Sequence, residues 1–213
     1  MKTIKCYLCF ALIGLFVSSG NALASDYEKV MGSTLEKLDS AKTIADLQQC
    51  RGQFERIVAM FPDQWLPVYY IAYSNIQMTY YPGEVDKPQL LDDAKVKLEQ
   101  LAKHPDADLS EVNTLWGYYY NAWVMVDPKN GEKYYRNVLE SYEKAIGQNP
   151  ENPRPVCLLA FYKQYLPPFL RSDKDIAEGK EKARELFAKE ERTIEKPYWG
   201  VQFLEWIQTE KKD

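Results

Sequence analysis

Trp116-Gly117-Tyr118-Tyr119-Tyr120 sets a small residue directly after a large one, and the same pairing returns at Ile71-Ala72, Leu159-Ala160 and Trp199-Gly200. The small residues lie 45, 43 and 40 positions apart, each in a segment whose apolar residues recur every three or four positions, the helical period. A repeat of that length marks stacked helical hairpins. Gly or Ala lets two helix backbones cross at roughly 8 Å, the lower end of helix packing, while the adjoining Trp, Leu or Ile fills the groove beside it. The pattern predicts an all-α chain, an α-solenoid of stacked antiparallel hairpins that offers a surface to a partner.

Lys2 and Lys5 precede an apolar run from Cys6 to Val17, and Ser18 to Asn21 then lead into Ala22-Leu23-Ala24. This is the layout of a secretory signal peptide, with cleavage expected after Ala24. The run is too short for a bilayer span, which takes about 20 residues, and no cysteine stands at the cleavage point to carry a lipid. Residues 1–24 are therefore expected to be removed. Residues 25–213 are left as one helical repeat domain, exported to the periplasm or secreted, with no stable membrane insertion after cleavage.

Loss of Lys2 and Lys5 moves the formal net charge from -4 to -6. An acidic chain without a long basic run is a poor match to nucleic acid, whose affinity comes mostly from neutralising phosphates. The 16 tyrosines and five tryptophans suit interhelical packing or a recognition surface.

Prolines and polar clusters divide the chain into helices. The first is expected over about Tyr27 to Ala41, with Tyr27, Val30, Met31, Leu35 and Leu38 on one face. Thr43 and Asp46 read as a capping box for a second, whose stripe is Leu47, Cys50, Phe54, Ile57, Val58 and Phe61. A third runs from about Trp65 to Tyr80 and a fourth from Gln89 to Lys103. Asp108 and Glu111 read as caps of a fifth that reaches Val126, and a sixth covers Glu132 to Gly147. Helices at about Arg154 to Tyr165 and Lys174 to Lys189 repeat the cycle, and a last one from Tyr198 to Thr209 is expected to cover the open end.

These residues resemble the tetratricopeptide repeat family. That family places a large residue and then a small one in the first helix of each hairpin. Its second helix carries an apolar pair three apart, with a proline five positions later. Phe54, Ile57 and Pro62 match, as do Tyr142, Ala145 and Pro150, while Leu98, Leu101 and Pro105 match with the proline one place early. The period of about 44 residues exceeds the family's, with extra residues at Tyr81 to Lys87, Asp127 to Gly131 and Pro167 to Ser172. Other helical repeats, such as Sel1-like arrays, remain alternatives.

In the resembling family the first helices line a groove for extended peptides. One step along them here come Tyr73, Tyr118 and Phe161, with Tyr119 and Tyr162 beside the last two. Tyr69 and Asn121 extend the same helical faces. The plain reading of these side chains is packing against the next repeat, with hydroxyls at the rim. The functional reading makes Tyr69, Tyr73, Tyr118, Tyr119, Asn121, Phe161 and Tyr162 the candidate partner-binding row. The family's Lys/Asn clamp on a C-terminal carboxylate is not visible.

No residue set points to catalysis, a cofactor or a metal. The one histidine, His104, sits in a Lys-His-Pro helix ending, where a cation near the last carbonyls is favourable, and a lone histidine does not make a zinc site. Neither a nucleophile elbow nor a glycine-rich phosphate loop occurs. Asp106, Asp108 and Glu111 read as helix-capping carboxylates, and Asp127 to Gly131 as a turn rather than a calcium loop. The chain is read as a non-enzyme: a scaffold or adaptor for a protein or extended peptide in the cell envelope. The alternative is a carbohydrate or small-ligand binder with an aromatic groove. Cys50 and Cys157, two hairpins apart, are expected to be unbridged, because a disulfide tolerates roughly 7 Å between Cα atoms.

Overall fold

The computed structural model describes the backbone of residues 7–208 and the side chains of residues 24–208, and among these the regular structure is helix with no strand. The order is α1 (Tyr7–Ser40), α2 (Ile44–Met60), α3 (Trp65–Met78), α4 (Lys87–Leu101), α5 (Leu109–Val126), a 3-10 turn (Pro128–Asn130), α6 (Gly131–Gln148), α7 (Pro153–Lys163), α8 (Asp173–Phe187) and the short α9 (Phe203–Trp206). The expected export segment, residues 1–24, falls outside the described side chains, Ala24 excepted. No helix among the described residues is long and apolar enough to cross a membrane.

Local chemistry sets the helix starts. Thr43 accepts from the Asp46 amide while the Asp46 side chain accepts from the Thr43 amide, the full reciprocal box at the head of α2. Asp86, Asp108, Asn152 and Ser172 each accept from a first-turn amide of α4, α5, α7 and α8. Such a cap typically contributes about 1 kcal/mol by satisfying an otherwise orphaned donor.

Each helix from α1 to α8 packs on its successor, and α3 touches α5 as α5 touches α7. The odd-numbered helices α3, α5 and α7 therefore stand side by side. Along α3 every residue from Leu66 to Ile76 is buried, whereas α6 buries the stripe Val138, Tyr142 and Ala145 and α8 the stripe Ile176, Ala183 and Leu186. The repeat interval reappears in the hydrogen bonds between neighbouring odd-numbered helices. Tyr118 to Gln77 spans 41 residues, Tyr69 to Glu111 and Asn152 to Ser110 span 42, and Arg154 to Glu111 spans 43.

Gly117 and Ala160 lie at close helix crossings. Gly117 faces the ring of Tyr142 across the α5–α6 crossing, and a Cβ there would collide with three of its ring atoms. At the α7–α8 crossing, a Cβ on Gly179 would come within 3.0 Å of the Ala160 Cβ.

The fourth pair departs from the pattern. Trp199-Gly200 is not helical, and Gly200 takes φ +100°, a left-handed conformation that glycine adopts without steric cost. The expected last helix, Tyr198 to Thr209, contracts to α9, with Thr209 outside the described residues. Much of the chain after Phe187 instead runs without regular structure back to the start of the array. Arg192 reaches Asp39 on α1, the Tyr198 amide donates to the Tyr70 hydroxyl at 3.0 Å, and Trp199 Nε1 donates to the Tyr69 hydroxyl at 2.9 Å.

Gly117→Val should destabilise the fold by about 1 to 3 kcal/mol through overpacking against Tyr142, read as a fall in the urea midpoint; an unchanged midpoint would contradict the close crossing. Cys50 and Cys157 are free and buried, and burial raises both thiols, that of Cys157 to about 12. A thiol reagent should therefore react slowly with the native protein and count two thiols once residues 25–213 are denatured without reductant.

Candidate functional site

Tyr118 and Asn121, three apart on α5, share a helical face that looks onto a cavity of about 1000 Å³. This is at the upper end of the usual range for small-ligand sites. The end of α3 and the residues after it contribute Gln77, Tyr80 and Tyr81, while the start of α6 contributes Gly131, Glu132 and Tyr135. Phe161 and Tyr162 come from α7, Leu166, Phe169 and Leu170 from the loop before α8, and Phe203 and Trp206 from α9.

The floor is an aromatic pair held at both edges by amides. Tyr80 and Tyr118 stack with centroids 4.9 Å apart and an interplanar angle of 13°. The Tyr118 hydroxyl donates to Gln77 Oε1 at 2.6 Å, and Asn121 Nδ2 donates to the Tyr80 hydroxyl at 3.2 Å. Burial pushes the Tyr80 and Tyr118 phenols well above their ordinary range and raises Tyr162 as well, so these rings stay neutral. One wall is a run of edge-to-face rings, Phe161 to Phe203 at 5.1 Å and Phe203 to Trp206 at 5.0 Å. The rim leaves large apolar side chains in water: Phe169 is 84% exposed, Tyr165 69% and Met125 63%. Exposed apolar groups collected around one opening are the usual mark of an interaction site.

The structure divides the row of residues singled out from sequence. Tyr118, Asn121, Phe161 and Tyr162 meet around this one cavity. Tyr73 lies under Trp199 at 4.6 Å between centroids and borders a second, smaller cavity of about 490 Å³. Tyr119 turns the other way, buried against Trp116, Tyr120 and Trp123. Tyr69 is wholly buried. Tyr80, Tyr135, Phe203 and Trp206 were not singled out. Tyr80 sits three residues before Gly83, in what reads from sequence as the end of a helix, and the two α9 residues reach the cavity only because the chain folds back.

Glu111 is likewise not the solvated capping carboxylate expected; Asp108 alone supplies the cap. Glu111 is 3% exposed and receives Arg154 Nε at 2.9 and 3.0 Å, Arg154 Nη2 at 2.6 Å, Asn152 Nδ2 at 2.9 Å and the Tyr69 hydroxyl at 3.0 Å. Arg154 Nη1 pairs with Glu190 at 2.6 Å. Although burial disfavours the Arg154 cation, the adjoining Glu111 carboxylate outweighs it and keeps the guanidinium charged. Pairing at the repeat interval, a carboxylate answered by a cation 43 residues on, was the available signal.

A helical protein with a large aromatic cavity is the class that the described residues define. No family model matches the sequence, and no curated protein does. Among solved structures, the fold is similar to that of the HusA haemophore from Porphyromonas gingivalis. The TM-score is 0.74 and the identity 25%, covering 88% of this chain and 95% of that one.

Removing one member of a buried ion pair leaves an uncompensated charge and typically costs about 3 to 5 kcal/mol. Arg154→Met should show a loss of that size in urea unfolding, and adding Glu111→Gln should recover part of it. A loss below about 1 kcal/mol, the level of an exposed pair, would contradict the buried network.

Proposed function

We propose that this chain is an exported, non-catalytic binding protein whose aromatic cavity holds a planar, largely apolar ligand of the porphyrin class, haem foremost. The cavity carries the reading: about 1000 Å³, floored by a neutral tyrosine stack and walled by aromatic edges, in a fold similar to that of a haemophore. The layout of residues 1–24 supports export. Side-by-side odd-numbered helices, joined by hydrogen bonds at the repeat interval, support a tetratricopeptide-like solenoid as the scaffold.

Two features favour a small ligand over an extended peptide. Tyr69 and Tyr73, which a peptide groove would need open, lie beneath Trp199. The fold-back of the chain then closes one side of the remaining space with Phe203 and Trp206. A glycan fits less well than an aromatic macrocycle, because the polar groups at the cavity are few, chiefly Gln77, Asn121, Glu132 and phenol hydroxyls. The chain's one histidine, His104, lies three residues beyond α4 rather than in the lining. Recognition therefore rests on ring faces and buried apolar area.

Titration of the protein with haemin, followed by absorbance near the Soret band, should give a saturable spectral change with a Kd in the micromolar range or tighter. Phe161→Ala should weaken it about tenfold, equivalent to about 1.4 kcal/mol, while leaving the circular dichroism helical. Absence of a saturable change with the wild-type protein would sink the reading.

A further inference from the structure

The cavity is lopsided in charge. Among the described residues that line it, the charged one is Glu132, in the first turn of α6; no lysine, arginine or histidine accompanies it. That position is where the positive end of a helix would otherwise draw an anion, and the Glu132 carboxylate occupies it. Four cations adjacent in sequence to lining residues have partners of their own: Lys163 pairs with Asp175 at 3.6 Å and Arg171 with Asp173 at 2.6 Å, Lys133 lies over Tyr134, and Arg136 lies 5.9 Å from the ring of Tyr135, itself a lining residue, without lining the cavity.

Haem and its relatives carry carboxylates on one edge of an otherwise apolar disc. In this cavity those groups meet no lining cation, and Glu132 repels them from the α5–α6 side. We propose, resting on the porphyrin reading above, that the site recognises the apolar face and edge of its ligand and not its acid groups. Glu132 is then a specificity-determining residue that turns the acid edge outward, away from α6. The preferred ligands are planar macrocycles with neutral or solvent-directed substituents.

The test compares haemin with haemin dimethyl ester, delivered from the same organic stock, on the wild-type protein and on Glu132→Gln and Glu132→Lys. The ester should bind the wild type at least as tightly as haemin does. Glu132→Gln should tighten haemin about two- to fivefold, the scale of one screened charge interaction, and leave the ester unchanged; Glu132→Lys should tighten haemin further. Glu132 is exposed and near a helix start, so both variants should keep wild-type circular dichroism. Haemin binding with the ester weakened tenfold or more would overturn the inference while the porphyrin reading stood, as would a haemin affinity indifferent to both substitutions. Failure of both compounds to bind would overturn the porphyrin reading itself, and this inference with it.

Discussion

The Glu111–Arg154 pair is the contact on which the arrangement of this chain turns. A carboxylate and a guanidinium withdrawn from water are stable only if the remaining lone pairs and protons find partners. Here they are supplied from α3 through Tyr69, from the head of α7 through Asn152, and from the chain beyond α8 through Glu190. One ionic cluster therefore fixes three adjacent odd-numbered helices and the returning segment relative to one another. Apolar packing is tolerant of small slides between helices, whereas these hydrogen bonds at 2.6 to 3.0 Å are not.

From that anchor the route to the cavity is short. Tyr69, held by Glu111, receives the Trp199 indole N–H; Trp199 packs on Tyr73 and Tyr118; and Tyr118 forms the floor with Tyr80. Tyr118, Asn121, Phe161 and Tyr162 stand on the faces of packed helices, which gives the stacking surface a defined plane, while Tyr80 and the residues from Tyr165 to Leu170 come from the connections beside them. The lining residues Tyr118 and Tyr162 are buried, while Phe169, Tyr165, Met125 and the outer wall residue Trp206 are left in solvent.

Much of the helical order was legible because it is written locally. Thr43 with Asp46, Asp108, and the prolines at 62, 105 and 150 each act within one turn, and Gly117 marks a crossing by its size alone. What escaped was decided at a distance. Glu111 has the same local context as any first-turn carboxylate, and only Arg154, 43 residues away, makes it a buried ion. Tyr118 and Tyr119 are neighbours in sequence but point about 100° apart on the helix, so which one meets the cavity depends on the helices placed either side. Trp199-Gly200 imitates the repeat, yet the positive φ of Gly200 belongs to a turn. The cavity's wall of Phe203 and Trp206 was hidden for the same reason, since it exists only once the chain reverses.

That reversal has a consequence for biogenesis. Contacts within and between neighbouring hairpins form between residues close along the chain, but Tyr198 to Tyr70 and Trp199 to Tyr69 close loops of 128 and 130 residues. Closures of that length come late and slowly in folding. A folding chain that already holds its earlier helices therefore lacks the cavity wall of Phe203 and Trp206 until that reversal is made.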